Sequence, residues 1–380
     1  MLDEESFSGC QFPSLVELFV LATRLVFDSR IDMIAESRHS FFSVNSLKSG
    51  GHLSLMNVSR IGKSVALGIV ISLLIGACNT FITHNSNDVE RPLSVGECRV
   101  LQHHLGETCV PNDPQRLAAT GGIALEVLLA LDRKPLAAAE PNLVGSRSRH
   151  LAGKAEGIAS LGKESQPNLE KLVQLNPDLI LGFNISPENY DVFSQIAPTV
   201  SFDYTHINWQ EELLRVGEAV GDRQRAEQLL AEYQTRIQEF QTAMGDQLEQ
   251  TKVSVVRFYS ELGNTEFRPK FSFPGSVLAD VGLPRPATQS EPEEFYVPVS
   301  LEQLNRLDGD VIFAALDPGA EESFEAFQSS PLWQNLEAVK NDQVYVVDSG
   351  YWIFGNVLAA NAILDDLFQY LVPAANGSSG

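Results

Sequence analysis

Apolar positions along this chain change their period several times, and each change marks an element. Leu117-Ala118-Ala119 is a short apolar run of strand length. Thr120-Gly121-Gly122 turns out of it into an amphipathic helix predicted over Ile123 to Leu131. Ala137 to Ala139, Leu179 to Leu181 and Thr199 to Phe202 are further candidate strands, with an apolar stretch at Val192 to Ile196. Asp222, after Gly221, then opens the longest helical pattern. Ala226, Leu229, Leu230, Tyr233, Ile237, Phe240, Met244 and Leu248 recur at spacings of three and four, with no proline before Gln250. The spacing predicts one helix over 222–250, about 40 Å long at 1.5 Å per residue. A coiled coil would carry such a stripe over many heptads. This one stands alone between two α/β segments, as a strut joining them does. Strand patterns resume at Lys252 to Tyr259, Val311 to Ala315 and Val344 to Val347, and a closing helix runs from about Asn356 to Tyr370.

Two of these segments are one device used twice. Moving residues 168–180 by 132 positions superposes Leu169/Leu301, Glu170/Glu302, Leu172/Leu304, Leu175/Leu307, Asp178/Asp310 and Ile180/Ile312. Asn168 and Ser300 are residues that cap helix starts, so each copy is expected to open a short helix. Pro177 or Gly309 then stops it, and a strand follows. A helix-to-strand unit repeated at this distance predicts two Rossmann-like α/β lobes joined by one long helix, with a ligand cleft between them.

Charge and targeting signals narrow the class. Met56-Asn-Val-Ser-Arg-Ile-Gly-Lys precedes an apolar core over 64–74, and Ile75-Gly76-Ala77 precedes Cys78. This is the layout of a secretory signal, too short to span a bilayer as a helix. Ile-Gly-Ala-Cys resembles the bacterial lipobox, so Cys78 is the expected lipid-bearing first residue of the mature form. Residues 1–55 have no role ahead of such a signal, and Met56 is the expected initiator; an unusually long leader is the alternative. The chain has a net charge of −22, of which residues 1–77 hold six cations and seven anions. So acidic a body argues against nucleic-acid binding and against adsorption to anionic lipid. Of four cysteines, Cys98 and Cys109 remain as a close pair. Export favours a disulfide between them; a metal site with His103 and His104 is the weaker reading, since the spacing fits no common zinc pattern. The expected organisation is an extension (1–55), signal (56–77), tether (78–97), N-terminal lobe (98–221), connecting helix (222–250), C-terminal lobe (251–373) and tail (374–380).

Lipoprotein signal, lobe, single long helix and second lobe, with Asn168-Leu-Glu-Lys-Leu…Asn176-Pro-Asp-Leu-Ile and Ser300-Leu-Glu-Gln-Leu, resemble a known family. These are the substrate-binding proteins of ABC importers for ferric siderophores, cobalamin or haem. Cys98-Arg-Val…His103…Gly106-Glu-Thr-Cys-Val-Pro111 and Phe273-Pro-Gly-Ser-Val-Leu…Val281-Gly-Leu-Pro-Arg-Pro286 are similar to its iron-siderophore branch, particularly cyanobacterial members. The resemblance covers Cys78 to about Val372. It implies a monomeric, lipid-anchored periplasmic protein that binds a ferric chelate and hands it to a permease with its ATPase. It implies no enzyme activity, no cofactor and no resident metal. It also implies that Glu170 and Glu302, one per lobe, dock onto the permease.

The chelate site is expected at strand ends between the lobes. Ferric chelates expose anionic or oxygen-rich surfaces, which arginine forks recognise while aromatic rings cover the organic shell. Arg257, Tyr259, Arg268 and Trp352 are the first choices. Arg147, Arg149 and Tyr204 follow, with His150, His206 and Trp209 near them. Each of these taken singly also fits a solvated arginine or a core aromatic. HExxH, GxSxG, Walker and dinucleotide patterns do not occur, which disfavours the common enzyme classes. Seven histidines are too scattered for a convergent metal-ion site, so a chelate ranks above a bare metal ion. An envelope sensor that has lost transport is the remaining class, as is a cobalamin or haem carrier within the same fold.

Overall fold

Two five-stranded sheets form where the short apolar runs lie, and a disulfide-closed hairpin precedes them. The computed structural model describes residues 98–140, 149–151, 153–205, 207–261 and 265–372, all within the unit Glu90–Gly380. The extension, the signal, the tether with Cys78, Arg147 and the tail lie outside the described residues, as do His206 and the side chain of Arg149.

The hairpin pairs β1 (Cys98–His103) with β2 (Gly106–Pro111), and Cys98 is bonded to Cys109. The first sheet contains β3 (Leu117–Ala119), β4 (Ala137–Glu140), β5 (Ala159–Lys163), β6 (Leu179–Phe183) and β7 (Thr199–Phe202), in the order β5-β4-β3-β6-β7, all parallel. The second contains β8 (Val253–Phe258), β9 (Thr265–Phe267), β10 (Val297–Pro298), β11 (Val311–Leu316) and β12 (Val344–Asp348), in the order β10-β9-β8-β11-β12. The centre matches the first sheet: β3 and β8 occupy the middle, and β6 and β11 pair beside them in parallel. The edge does not. β9 and β10 run antiparallel, because the link from Phe258 to Thr265 is too short for the crossover a parallel neighbour requires.

The helices that frame the site and carry the first repeat are α1 (Gly122–Ala130), α2 (Leu169–Leu175, the first repeat), α3 (Trp209–Ala219), α4 (Arg223–Met244), α5 (Phe273–Val281) and α6 (Val357–Leu371). The strut is α4, and it is shorter than its apolar stripe. Gly245, at φ +52, leaves the helical region after Met244, and residues 245–250 tighten into a 3-10 helix. That makes a rod of about 33 Å instead of 40. Asp222 makes no side-chain cap bond at its start. Between α3 and α4, Gly221 takes φ +78, and a Cβ there would lie 2.9 Å from Asn112 O. Arg99 of the hairpin closes this corner by donating to the α3 carbonyls of Glu218 and Ala219, each at 2.7 Å.

The repeat folds as one unit with two finishes. Leu172 and Leu304 are fully buried, as are Ile180 and Ile312 in β6 and β11. Asp178 accepts the backbone N–H groups of Gln115 and Arg116 at 2.8 and 2.9 Å, where the chain enters β3. Asp310 does the same for Lys252 at 2.7 Å, where the chain enters β8. Asn168 caps α2 by accepting from Lys171 N at 2.9 Å. The second copy departs from expectation: Leu301–Leu307 is a 3-10 helix, and Ser300 makes no cap bond to its backbone. The Ser300 hydroxyl turns to the Glu302 carboxylate, which holds that carboxyl below its ordinary value.

One apolar core runs through both lobes. Leu117, Leu179 and Phe202 of the first sheet, Val253, Val311 and Phe313 of the second, and the inner faces of α1 and α3–α6 belong to a single buried cluster. Each sheet's opposite face has a smaller core of its own, around Phe258 and Trp333 in one and Ile180 and Phe193 in the other. Alternate strand residues feed opposite faces, as Val255 and Val256 do.

Candidate ligand-binding site

Arg257 lies near the C-terminal end of β8, and the antiparallel register sets it opposite Glu266 of β9. Arg268 is the residue after that strand, and Asp317 follows β11. Strand geometry therefore gathers two cations and two anions. Arg257 forks Asp317, with Nε to Oδ1 and NH2 to Oδ2 both at 2.9 Å, and its NH1 donates to Tyr259 Oη at 3.2 Å. Arg268 NH2 is paired with Glu266 Oε1, which also lies 3.8 Å from Arg257 NH1. Arg268 Nε is covered and meets no acceptor among the described residues. Burial draws the Arg268 guanidinium below its ordinary value, against the pull of Glu266.

Aromatic rings form the outer layer of this cluster. Arg257 sits 4.3 Å from the Tyr259 ring centre and 5.8 Å from that of Phe354; Arg268 sits 5.3 Å from Phe354 and 5.9 Å from Tyr296. Each ring face thus rests on a cation, a favourable contact in a covered site. The Tyr259 hydroxyl is pushed up to about 12, chiefly by burial. Tyr296 and its neighbour Phe295 are exposed.

The segment carrying Phe354 joins the two lobes. Tyr204, after β7, donates its hydroxyl to Gly355 O at 3.0 Å, and burial raises its titration above the ordinary tyrosine value. Glu126 of α1 accepts the N–H groups of Asn356 and Ala359, both at 2.8 Å, and so caps α6 from the other lobe. Asn356 in turn donates to Trp209 O at 3.1 Å. His150 packs beside this cap, 3.9 Å from Glu126 Oε2, with its ring edge-on to Tyr351. Further along the first lobe's strand ends, Glu164 lies against the Gly121 backbone, where an added Cβ would collide with its carboxyl. Burial pushes that carboxyl up to about 7.

Arg257, Tyr259 and Arg268 are thus brought together, and Tyr204 meets the segment beside them. Both guanidinium groups are engaged by carboxylates within the protein, Arg257 by Asp317 and Arg268 by Glu266. Trp352 stands apart from them. It is 0% exposed, stacked on Phe313 with centroids 4.5 Å apart, and its Nε1 donates to Asp366 at 2.7 Å. The helical turn Ser349–Trp352 points it back onto the second sheet, so the ring of this loop that faces the cations is Phe354. Trp209 is a core residue as well. Glu266, Asp317 and Glu126 escape sequence reading, because their roles depend on strand register and on a contact between lobes. Asp317-Pro318-Gly319 directly after an apolar strand was the one local signal.

A family model described as periplasmic binding protein matches residues 117–351. The chain belongs to the periplasmic binding protein family. It is 32% identical over 314 residues to a Bacillus subtilis protein named "Probable siderophore-binding lipoprotein YfiY", covering 79% of this chain and 94% of that protein. It is 29% identical over 266 residues to the achromobactin-binding periplasmic protein of Dickeya dadantii, covering 67% and 85% of the two. Among solved structures it resembles Staphylococcus aureus SirA complexed with staphyloferrin B. The TM-score is 0.62 with 27% identity, over 72% of this chain and 98% of that one. The two-lobed α/β architecture is therefore that of siderophore-binding proteins.

Proposed function

We propose that this protein captures a ferric siderophore between its lobes and delivers it to an ABC permease and its ATPase. The observation that carries the reading is its likeness, over nearly the full length of each relative, to proteins named for siderophore binding. The cation-aromatic cluster of Arg257, Tyr259, Arg268 and Phe354 supports it as the second-lobe wall, with Tyr204 and the Arg147–Arg149 segment on the first lobe. Arg257 and Arg268 are paired there with Asp317 and Glu266, so the wall offers ring faces and N–H donors to an oxygen-rich chelate rather than a net positive charge. Glu170 and Glu302 are both exposed at equivalent places on the two lobes and are the docking charges in this reading. The protein works as a monomer, without catalysis or a resident cofactor. It is held at the periplasmic face of the inner membrane by lipid on Cys78. The segments 98–111 and 273–286 favour the cyanobacterial type.

Native mass spectrometry against ferric citrate, a ferric hydroxamate, a ferric catecholate, haem and cobalamin tests this. One ferric chelate bound at one per chain is the expected outcome. Retention of haem or cobalamin with no ferric chelate would replace the substrate class.

A further inference from the structure

The repeat matches at six positions, and the fold accounts for four of them. Leu172/Leu304, Leu175/Leu307 and Ile180/Ile312 fill the cores, and Asp178/Asp310 tie down the chain entering the central strand of each sheet. The remaining two, Leu169/Leu301 and Glu170/Glu302, are adjacent and stand outside both cores. Leu169 is 39% exposed and Leu301 is 40% exposed, and both glutamates are exposed. A single exposed leucine is ordinary. Both acids sit in the first turn of a helix, α-helical in one copy and 3-10 in the other, where a carboxylate is favoured. The exposed leucine beside each, at the same place in two lobes and at matching exposure, is what the fold leaves over.

We infer that Leu169-Glu170 and Leu301-Glu302 form two like contact points for one partner that presents two like seats, each an apolar recess beside a cation. The occupant is the permease, a choice that rests on the transport reading above. The acid of each pair supplies steering and register, and the leucine supplies desolvated contact area that an exposed charge pair lacks. Leu169 and Leu301 are then docking residues in their own right. The partner's cationic groups must each lie next to an apolar side-chain pocket.

The test replaces the chromosomal copy in the source strain with Leu169→Ala, Leu301→Ala, the double variant, Glu170→Ala, Glu302→Ala and Leu332→Ala, the last an exposed leucine outside the repeat. The probe is the ⁵⁵Fe-labelled chelate fraction of the strain's own iron-starved medium. Uptake by cells and binding by each purified full-length variant are both measured. Each leucine variant is expected to lower uptake about threefold or more and the double variant about tenfold or more, with chelate affinity unchanged and Leu332→Ala neutral. Full uptake in the leucine variants alongside loss in the glutamate variants would remove the leucines from the contact and leave the docking reading standing. Full uptake in the glutamate variants as well would remove the docking reading and the inference with it. A fall in chelate affinity that matches the fall in uptake would assign the leucines to the chelate site and overturn the inference.

Discussion

Arg257 and Arg268 are each 1% exposed, and guanidinium ions leave water at high cost unless paired. Asp317 and Glu266 meet that cost, so the arginines stabilise the site only as members of a neutral group of four. Arg257→Ala should then lower stability by about 3–5 kcal/mol, because it leaves Asp317 buried without its fork. Urea unfolding measures this, and a loss under about 1 kcal/mol would contradict the pairing. Adding Asp317→Asn should recover part of the loss, the mark of a coupled pair. Two carboxyls behave differently. Glu164 and Glu212 are pushed up to about 7 by burial, Glu212 despite an Arg215 partner at 2.9 Å. A folded-state value above the unfolded one means that the native state holds its proton more tightly. The stability they contribute is complete below the ordinary carboxyl range and is lost as pH rises through 7. Glu164→Gln should therefore lose about 2 kcal/mol less stability than wild type between pH 4.5 and 8. Parallel pH profiles for the two proteins would refute this.

Among the elements, the two copies of the repeat offer an internal control. Asn168 caps its helix through a 2.9 Å bond and Ser300 makes no such bond. Asn168→Ala should cost about 1 kcal/mol and Ser300→Ala close to none, measured by thermal or urea unfolding. Equal losses would mean that Ser300 caps after all. The repeat itself was legible because its leucines and aspartate face the same demands in both lobes. Its 3-10 finish was not, because that depends on where one hydroxyl turns. The strut was legible from its apolar stripe, but its end was misplaced: Leu248 continues the spacing while Gly245 breaks the backbone. β9 and β10 carried no period long enough to read. Their direction follows from a short loop, and that direction places Glu266 beside both arginines. Trp352 shares a loop with Tyr351 and Phe354, and which of these rings turns toward the cations depends on one helical turn at Ser349–Trp352.

At the scale of the molecule, the lobes share a core through α4 and α6, and Glu126, Tyr204 and Asn356 bind the joining segment across them. Such a join permits rocking of packed lobes and opposes wide hinge opening. Small-angle scattering with and without bound chelate should show no resolvable change in radius of gyration, and a clear contraction would mean that the join yields. The central claim is that a ferric chelate binds against the wall formed by Phe354, Tyr259 and the two arginines. Isothermal titration of wild type and Phe354→Ala with the chelate retained in native mass spectrometry tests it most directly. Phe354 is only partly buried and lies outside the paired charges, so its removal should leave the fold intact. The account predicts one-to-one binding to wild type and binding about tenfold or more weaker in the variant. Equal affinity in the two proteins, or no heat of binding with any ferric chelate, would contradict it.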